Sequence, residues 1–204
     1  MKYLCYLAAG SAARFGENKL LYPVNGKPLF LHGLTVLSQI AKEREDCRLL
    51  VVSRYEKILG AAEAHGAQPV DSPDSEKGMS HTVRCAVKAC GELSIGDRLL
   101  FVCADQPYLT ADTVGRILDT ADLLSDTASG TAPLAACAAF GEREGNPVLF
   151  SACLADALCA LTGDKGGKAV LKQYPGRCMR VFCKTEKELA DIDTKEDVFP
   201  NKDR

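Results

Sequence analysis

The chain has 204 residues, of which 47% are hydrophobic and 25% are charged, and its formal net charge is −2 at pH 7. This length and apolar content suit a single globular domain over residues 1–204 with a core of its own. The small negative charge argues against broad electrostatic binding to nucleic acid or to an anionic membrane, so any anion-binding site must be local.

Strand and helix patterns alternate through the first 124 residues. The strand patterns cover 2–8, 48–53, 67–71 and 97–105, and the helix patterns cover 27–45, 55–65, 78–93 and 110–124. Three of these strands are continuous apolar runs instead of alternating ones, which is typical of a buried parallel sheet. We therefore predict an α/β fold of three layers, with a Rossmann-like, mostly parallel sheet between two layers of helices.

The pattern changes after about residue 131. Two strands flank a polar turn at 141–146, and we expect this hairpin to be a small antiparallel addition to the sheet. Short helices at 151–161 and 166–174 follow, and then a strand at 177–183.

The ten cysteines lie mostly inside apolar runs, and no two of them have the Cys-x-x-Cys spacing. This distribution predicts small buried thiols in a reducing compartment, and neither a zinc site nor a disulfide framework. The sequence has no apolar stretch of 18 residues, so we expect no membrane span and a cytoplasmic location.

The loop after the first strand, "LAAGSAARFGENK" at 7–19, combines two glycines with two cations. In an open parallel sheet, ligands bind at the carboxyl ends of the strands. Gly10 and Gly16 would let the backbone approach a phosphate closely, while Arg14 and Lys19 would add positive charge. The alternative is an ordinary turn with two solvated cations. The loop matches neither a Walker sequence nor a Gly-x-Gly-x-x-Gly fingerprint.

Six segments in order resemble one family. They are "LAAGSAARFGENKLLYPVNGKPL", "GMSHTVRCAV", "ADQPYLT", "GNPVLF", "GDKGGK" and "DIDTKEDV". Together they resemble the molybdenum cofactor nucleotidyltransferases, and among these the cytidylyltransferase-like members. The resemblance implies the fold of nucleotide-diphospho-sugar transferases.

The same resemblance implies transfer of CMP from CTP to the phosphate of a molybdopterin-type molybdenum cofactor, with release of pyrophosphate and Mg²⁺ as the metal. A molybdenum hydroxylase apo-enzyme is a further candidate partner. CTP is favoured because Ala9 stands where the guanylyltransferase branch more often has Gly. Two alternatives stay open: another nucleotidyltransferase, using GTP or a sugar-phosphate acceptor, and a non-catalytic protein that escorts the cofactor.

The resemblance also assigns residues. It implies catalytic roles for Arg14, Lys19 and Asp105, and a Mg²⁺ site at Asp105 and Asp193, with Asp191 as the second choice. Nucleotide contacts are expected from Leu7, Ala8, Ala9, Gly10, Ser11, Arg14, Lys19, Gly78, Ser80 and Thr82. Acceptor contacts are expected from Asn146, Lys165 and Lys168. The alternative for the aspartates is that they cap turns or a helix start.

Overall fold

The structure is a computed structural model and describes residues 1–10, 15 and 18–198. Its strands are β1 (Lys2–Leu7), β2 (Pro23–Val24), β3 (Lys27–Pro28), β4 (Cys47–Ser53), β5 (Gln68–Asp71), β6 (Arg98–Cys103), β7 (Ala135–Phe140), β8 (Arg143–Ser151) and β9 (Cys178–Phe182). Its helices are α1 (Leu29–Glu43), α2 (Glu56–Ala64), α3 (Met79–Ala89), α4 (Ala111–Asp119), α5 (Ala155–Cys159), α6 (Lys168–Leu171) and α7 (Lys195–Val198).

Seven of the strands form one sheet in the order β5-β4-β1-β6-β8-β7-β9. β1 lies in parallel register between β4 and β6, with Leu4 beside both Leu49 and Leu100. β8 pairs antiparallel with β6 and with β7, and β9 pairs parallel with β7. The antiparallel part of the sheet is therefore the single strand β8, which lies inside the sheet, and the expected hairpin is integral to it.

Helices cover both faces of the sheet. Leu4 and Tyr6 of β1 point to one face, where they join a core cluster with residues of α1, α2 and α4. Cys5 and Leu7 point to the other face and join a cluster with residues of α3, α5 and α6. Each fully buried Leu stabilises the fold by about 1.5–3 kcal/mol. The predicted three-layer α/β architecture is confirmed.

A small hairpin shortens the first predicted helix. Pro23–Val24 and Lys27–Pro28 pair antiparallel, and Asn25 and Gly26 form the turn with φ of 48° and 83°. An Asn-Gly pair favours this tight turn because both residues accept positive φ. As a result α1 begins at Leu29 and not at residue 27.

The shorter elements also differ from the sequence prediction. The predicted helix 110–124 ends at Asp119 and continues as a 3-10 turn at Ala121–Leu123. The predicted helix 151–161 consists of a 3-10 turn and the five-residue α5. All ten cysteines are free, and five of them are buried. Within the described part of the chain, no helix is long and apolar enough to cross a membrane.

Candidate functional site

The carboxyl ends of β1, β5 and β6 open onto a cleft of about 480 Å³. Residues that follow these three strands, together with the start of α3, supply most of its walls. The lining residues are Leu7, Ala9, Gly10, Lys19, Ser75, Glu76, Lys77, Gly78, Met79, Thr82, Asp105, Asp164 and Asp193. This is the position at which open parallel sheets bind ligands.

Lys19 joins two carboxylates at one end of the cleft. Its Nζ donates to Asp105 Oδ2 at 2.9 Å and to Asp193 Oδ1 at 2.8 Å, and the residue is only 8% exposed. Burial disfavours the charged ammonium, but the two carboxylates outweigh it and raise the pKa of Lys19. Lys19 is therefore a fixed positive charge in the cleft.

Local structure places Lys19 there. A 3-10 turn spans Lys19–Leu21, and the side chain of Asn18 caps it by accepting from the Leu20 backbone N–H at 3.1 Å. Leu20 is buried in the core beside it, which anchors the turn to the sheet. The adjoining positions Ser11, Arg14 and Gly16, which carry the other predictions for this loop, lie outside the described residues.

Asp105 follows β6, and one of its oxygens is unused. Its Oδ1 is buried and has no hydrogen-bond partner among the described residues. The Ile192 backbone N–H donates to the Asp105 carbonyl at 3.0 Å, which holds the late segment beside β6. Asp193 is thereby brought to the same ammonium as Asp105, 88 residues earlier in the chain. The structure thus brings together the predicted pair.

Asp191 lies close to this pair but does not contact Lys19 through a hydrogen bond. Partial desolvation and the negative charges of Asp105 and Asp193 raise the pKa of Asp191, while the Gln106 side chain opposes the shift with a hydrogen bond. Within the described ranges no three His, Cys, Asp or Glu side chains form a ready-made metal cage. Asp105 and Asp193 form a carboxylate pair, and a metal ion bound there would need further oxygen ligands from substrate or water.

The predicted nucleotide residues that the structure describes fall into two groups. Leu7, Ala9, Gly10, Lys19, Gly78 and Thr82 line the cleft. Ala8 is instead buried in the core cluster on the α1 side, where its carbonyl accepts from Ser53 Oγ at 2.7 Å. Ser80 is completely buried, and its backbone N–H donates to the Gly163 carbonyl. The last two residues therefore lie behind the cleft wall.

Gly78 is required by the protein's own packing. It has a φ of +125°, and a Cβ at this position would lie 2.4 Å from the Gly163 carbonyl oxygen. Asp164 Oδ1 also accepts from the Met79 backbone N–H at 3.3 Å, at the start of α3. The sequence predicts a nucleotide contact at Gly78, and the structure shows in addition that this glycine packs against the 163–164 loop.

A second, smaller cavity of about 220 Å³ adjoins the cleft through Leu7 and Met79. Its walls are mainly apolar, and Asn146, Cys103 and Lys168 supply polar groups. The full lining is Leu7, Met79, Val83, Phe101, Cys103, Asn146, Val148, Phe150, Gly166, Gly167 and Lys168. We call this cavity the apolar slot.

The polar groups of the apolar slot are held by neighbouring atoms. Asn146 Nδ2 donates to Cys103 Sγ at 3.2 Å, and Lys168 Nζ donates to the Glu144 carbonyl at 2.9 Å. Burial and the charges of Asp105 and Asp191 raise the pKa of the Cys103 thiol, which stays protonated. Lys165, the third residue predicted to bind the acceptor, is exposed and lines neither cavity.

Sequence reasoning missed four polar residues of the cleft wall. Ser75, Glu76 and Lys77 belong to the 3-10 turn that follows β5, and Asp164 follows α5. Ligands bind at the carboxyl ends of parallel strands, and this rule, which selected the loop after β1, applies equally to the turn after β5. That rule was the available signal for the first three residues.

An α/β sheet of this order, with a charged cleft across its strand ends, is the arrangement in which open parallel sheets bind nucleotides and other ligands. The family model described as "MobA-like NTP transferase domain" matches residues 4–178. The chain belongs to this family and is an NTP-dependent nucleotidyltransferase by that membership.

Two curated proteins are similar along nearly the whole chain. The purine catabolism protein PucB of Bacillus subtilis (strain 168) is 30% identical over 205 residues, which cover 94% of this chain and 91% of PucB. The nicotine blue oxidoreductase of Paenarthrobacter nicotinovorans is 25% identical over 199 residues, which cover 95% and 92% of the two chains.

The fold also matches a solved structure, the complex of Rv0371C with manganese from Mycobacterium tuberculosis H37Rv. The TM-score is 0.66 at 20% sequence identity, and the match covers 96% of this chain and 95% of that chain. At this identity the likeness establishes a shared fold.

Proposed function

We propose that the protein transfers CMP from CTP to the phosphate of a molybdopterin-type molybdenum cofactor, with Mg²⁺ as the metal. An oxygen of the acceptor phosphate attacks the α-phosphorus of CTP. The bond from the α-phosphorus to the bridging oxygen breaks, and pyrophosphate leaves with that oxygen. The single observation that carries this proposal is the contact of Lys19 with Asp105 and Asp193 in the cleft, beside the apolar slot.

The metal assignment rests on the carboxylate pair. Asp105 Oδ1 is buried with no partner among the described residues, and Asp193 is held within reach of the same ammonium. Mg²⁺ is commonly bound by one or two carboxylates, with substrate phosphates and water filling the other positions. Asp105 and Asp193 would hold the ion, which would neutralise charge on the phosphates. A manganese complex is known for Rv0371C, which has the same fold.

Lys19 would act on the nucleotide's phosphates. Its ammonium is charged and largely withdrawn from water, so its interaction with a phosphate oxygen is weakened little by solvent. Negative charge grows on the leaving pyrophosphate during transfer, and a cation fixed beside it stabilises the transition state more than the ground state. Arg14 is expected to assist from the loop after β1.

The acceptor would occupy the apolar slot. Phe101 and Phe150 pack edge to face in its wall, with ring centroids 5.7 Å apart, and can contact a flat heterocycle. Asn146 would orient the acceptor by hydrogen bonds, and Lys168 would contact an anionic group. Lys165 lies outside the slot, and its proposed contact with the acceptor is at the exposed surface.

The finer assignments depend on the sequence resemblance. CTP is favoured over GTP through Ala9, which lines the cleft and whose Cβ we expect to limit the width of the base pocket. The ten free thiols agree with a reducing compartment, and the proposal places the reaction in the cytoplasm. A molybdenum hydroxylase apo-enzyme would receive the product.

The experiment is a product analysis. Purified protein is incubated with Mg²⁺, each of CTP, GTP, UTP and ATP, and either the molybdenum cofactor or a set of sugar phosphates as the acceptor. The nucleotide products are identified by mass spectrometry, and binding of the cofactor is measured alongside. The proposal predicts the cytosine dinucleotide form of the cofactor. A guanine dinucleotide would reassign the donor, and a product formed only with sugar phosphates would reassign the acceptor. Cofactor binding with no product from any NTP would instead support the escort protein.

A further inference from the structure

The cleft has a second polar end, on the far side of β1 from the Lys19 cluster. The strand order is β5-β4-β1-β6, with Asp105 after β6 and the turn Pro73–Lys77 after β5. Neighbouring strands are about 4.8 Å apart, so the two ends are separated by about 14 Å. A nucleotide whose phosphates lie beside Lys19 would extend its base towards β5.

Glu76 lines this end and is held in place by Arg54. The Arg54 guanidinium donates to Glu76 Oε2 at 2.9 Å and to the Tyr55 hydroxyl at 3.1 Å. The Tyr55 hydroxyl in turn donates to the Gly10 carbonyl at 3.3 Å. Glu76 is thus fixed relative to Gly10 on the loop side of the cleft, while its Oε1 has no hydrogen-bond partner among the described residues.

Ser75 lies beside Glu76, and its side-chain hydroxyl makes no hydrogen bond to the described residues. The residue is 7% exposed, it lines the cleft, and its Oγ is buried with no partner among the described residues. A buried hydroxyl without a hydrogen bond is uncommon in native proteins and calls for an explanation. A ligand that enters the cleft and offers a polar edge to Ser75 supplies one.

We infer that Glu76, held by Arg54, selects a base with an exocyclic amino group and so excludes UTP. This inference rests on the proposed function. An ionised carboxylate can only accept hydrogen bonds. The N4 amino group of cytosine donates to it, whereas uracil has a carbonyl oxygen at the corresponding atom and would face the carboxylate with its own negative dipole. Ser75 can donate or accept, so it binds either pyrimidine.

Glu76 and Ala9 therefore divide base selection between them. Adenine and guanine also carry amino groups, so Glu76 alone does not reject purines. Ala9 limits the width of the pocket and disfavours the fused ring. The Glu76 side chain is 64% exposed in the free protein, so its unfavourable contact with uracil takes effect where the bound base covers the carboxylate. The two pyrimidines have the same width, so a comparison of the affinities for CTP and UTP measures the contribution of Glu76 alone.

The test is the affinity for CTP and UTP by isothermal titration with Mg²⁺ and no acceptor. The wild type is expected to bind CTP at least about tenfold more tightly than UTP. Glu76→Gln is expected to bring the two affinities within about threefold of each other, because an amide can donate as well as accept. Ser75→Ala is expected to weaken both nucleotides without changing their ratio.

Asp74→Asn is the matched control. Asp74 belongs to the same turn, pairs with Lys77 at 2.6 Å and is absent from the cleft lining, so removing its charge should leave the CTP to UTP ratio unchanged. Tight CTP binding by Glu76→Gln with the wild-type ratio would overturn this inference alone. Equal binding of CTP and UTP by the wild type would also overturn it. Failure of every NTP to bind the wild type would overturn the proposed function together with it.

Discussion

The two halves of the sheet carry different chemistry. The half built on β5, β4, β1 and β6 opens onto the cleft of about 480 Å³, whose walls contain Lys19, Glu76 and Asp105. The half built on β8, β7 and β9 supplies part of the apolar slot of about 220 Å³, which has few polar groups. We call them the donor half and the acceptor half, after the substrates proposed for them.

The difference follows from strand direction. In the donor half all four strands are parallel, so the segments after them meet at one edge and their polar residues collect there. β8 runs the opposite way, and its register places Val148 beside Phe101. The early residue Asn146 therefore reaches the same edge, next to Cys103 at the end of β6. Substitutions in one half should affect one substrate.

The largest effect is expected from Lys19→Ala. Removing the cation should lower kcat by about 10²–10³, because one such group typically contributes that much to transition-state stabilisation. Steady-state kinetics measure it, with circular dichroism to confirm folding. Lys57→Ala removes an exposed lysine from α2 and should keep wild-type turnover. Wild-type turnover in folded Lys19→Ala would remove Lys19 from the mechanism.

Asp105→Asn should raise the Mg²⁺ concentration needed for half-maximal activity by about 10–100-fold, because a charged ligand is lost while the shape is kept. A Mg²⁺ titration of activity measures this shift. Asp122→Asn, at an exposed position, should leave the titration unchanged. An unaltered Mg²⁺ requirement in Asp105→Asn would mean that the metal binds elsewhere.

Gly78→Ala should destabilise the fold by about 2 kcal/mol, because the new Cβ overlaps the Gly163 carbonyl and the φ is positive. For a chain of this size that corresponds to a fall in Tm of roughly 4–8 °C, measured by calorimetry. Gly60→Ala in α2, where no atom lies within 4 Å of the added Cβ, should instead raise Tm slightly. Similar melting of Gly78→Ala and wild type would refute the packing role.

The size of the base should have a smaller effect on kcat/KM than the substitutions above. We expect kcat/KM for CTP to exceed that for GTP by at least about tenfold, since overpacking a pocket costs roughly 1–3 kcal/mol. Ala9→Gly should narrow the gap, because it removes the Cβ that limits the pocket. Side-by-side kinetics with both nucleotides decide the point, and a GTP preference in the wild type would reassign the donor.

The smallest effect is expected in the acceptor half. Asn146→Ala should raise KM for the acceptor by roughly tenfold, about the value of one or two hydrogen bonds, and leave KM for CTP unchanged. Varying each substrate in turn separates the two constants. An equal rise in both would show that the halves do not act separately.

Much of the fold could be predicted from the sequence because the buried strands are continuous apolar runs. "LLFVCAD" gives both the strand β6 and the aspartate that follows it. The position of β8 could not be predicted. The local pattern indicates a hairpin, but it does not show that β8 inserts between β6 and β7. The Pro23–Pro28 hairpin was predictable from Asn25–Gly26 and was missed.

The residues of the candidate site, like the fold, could be predicted only in part from the sequence. Lys19, Asp105 and Asp193 were selected by resemblance, but their contact with one another depends on tertiary structure across 174 residues. Gly78 was selected as a nucleotide contact, yet its backbone also packs closely against the 163–164 loop, which only tertiary structure reveals. Glu76 was missed because the rule that ligands bind at strand ends was applied to the segments after β1 and β6 and not to the turn after β5.

The most direct test of the account is pyrophosphate release by the wild type with CTP and Mg²⁺, measured with and without the molybdenum cofactor. We predict rapid release when the cofactor is present and negligible release when it is absent, because the acceptor phosphate is the nucleophile. Equal release in both conditions, or none with any NTP, would contradict the claim that the two halves join a nucleotide donor to this acceptor.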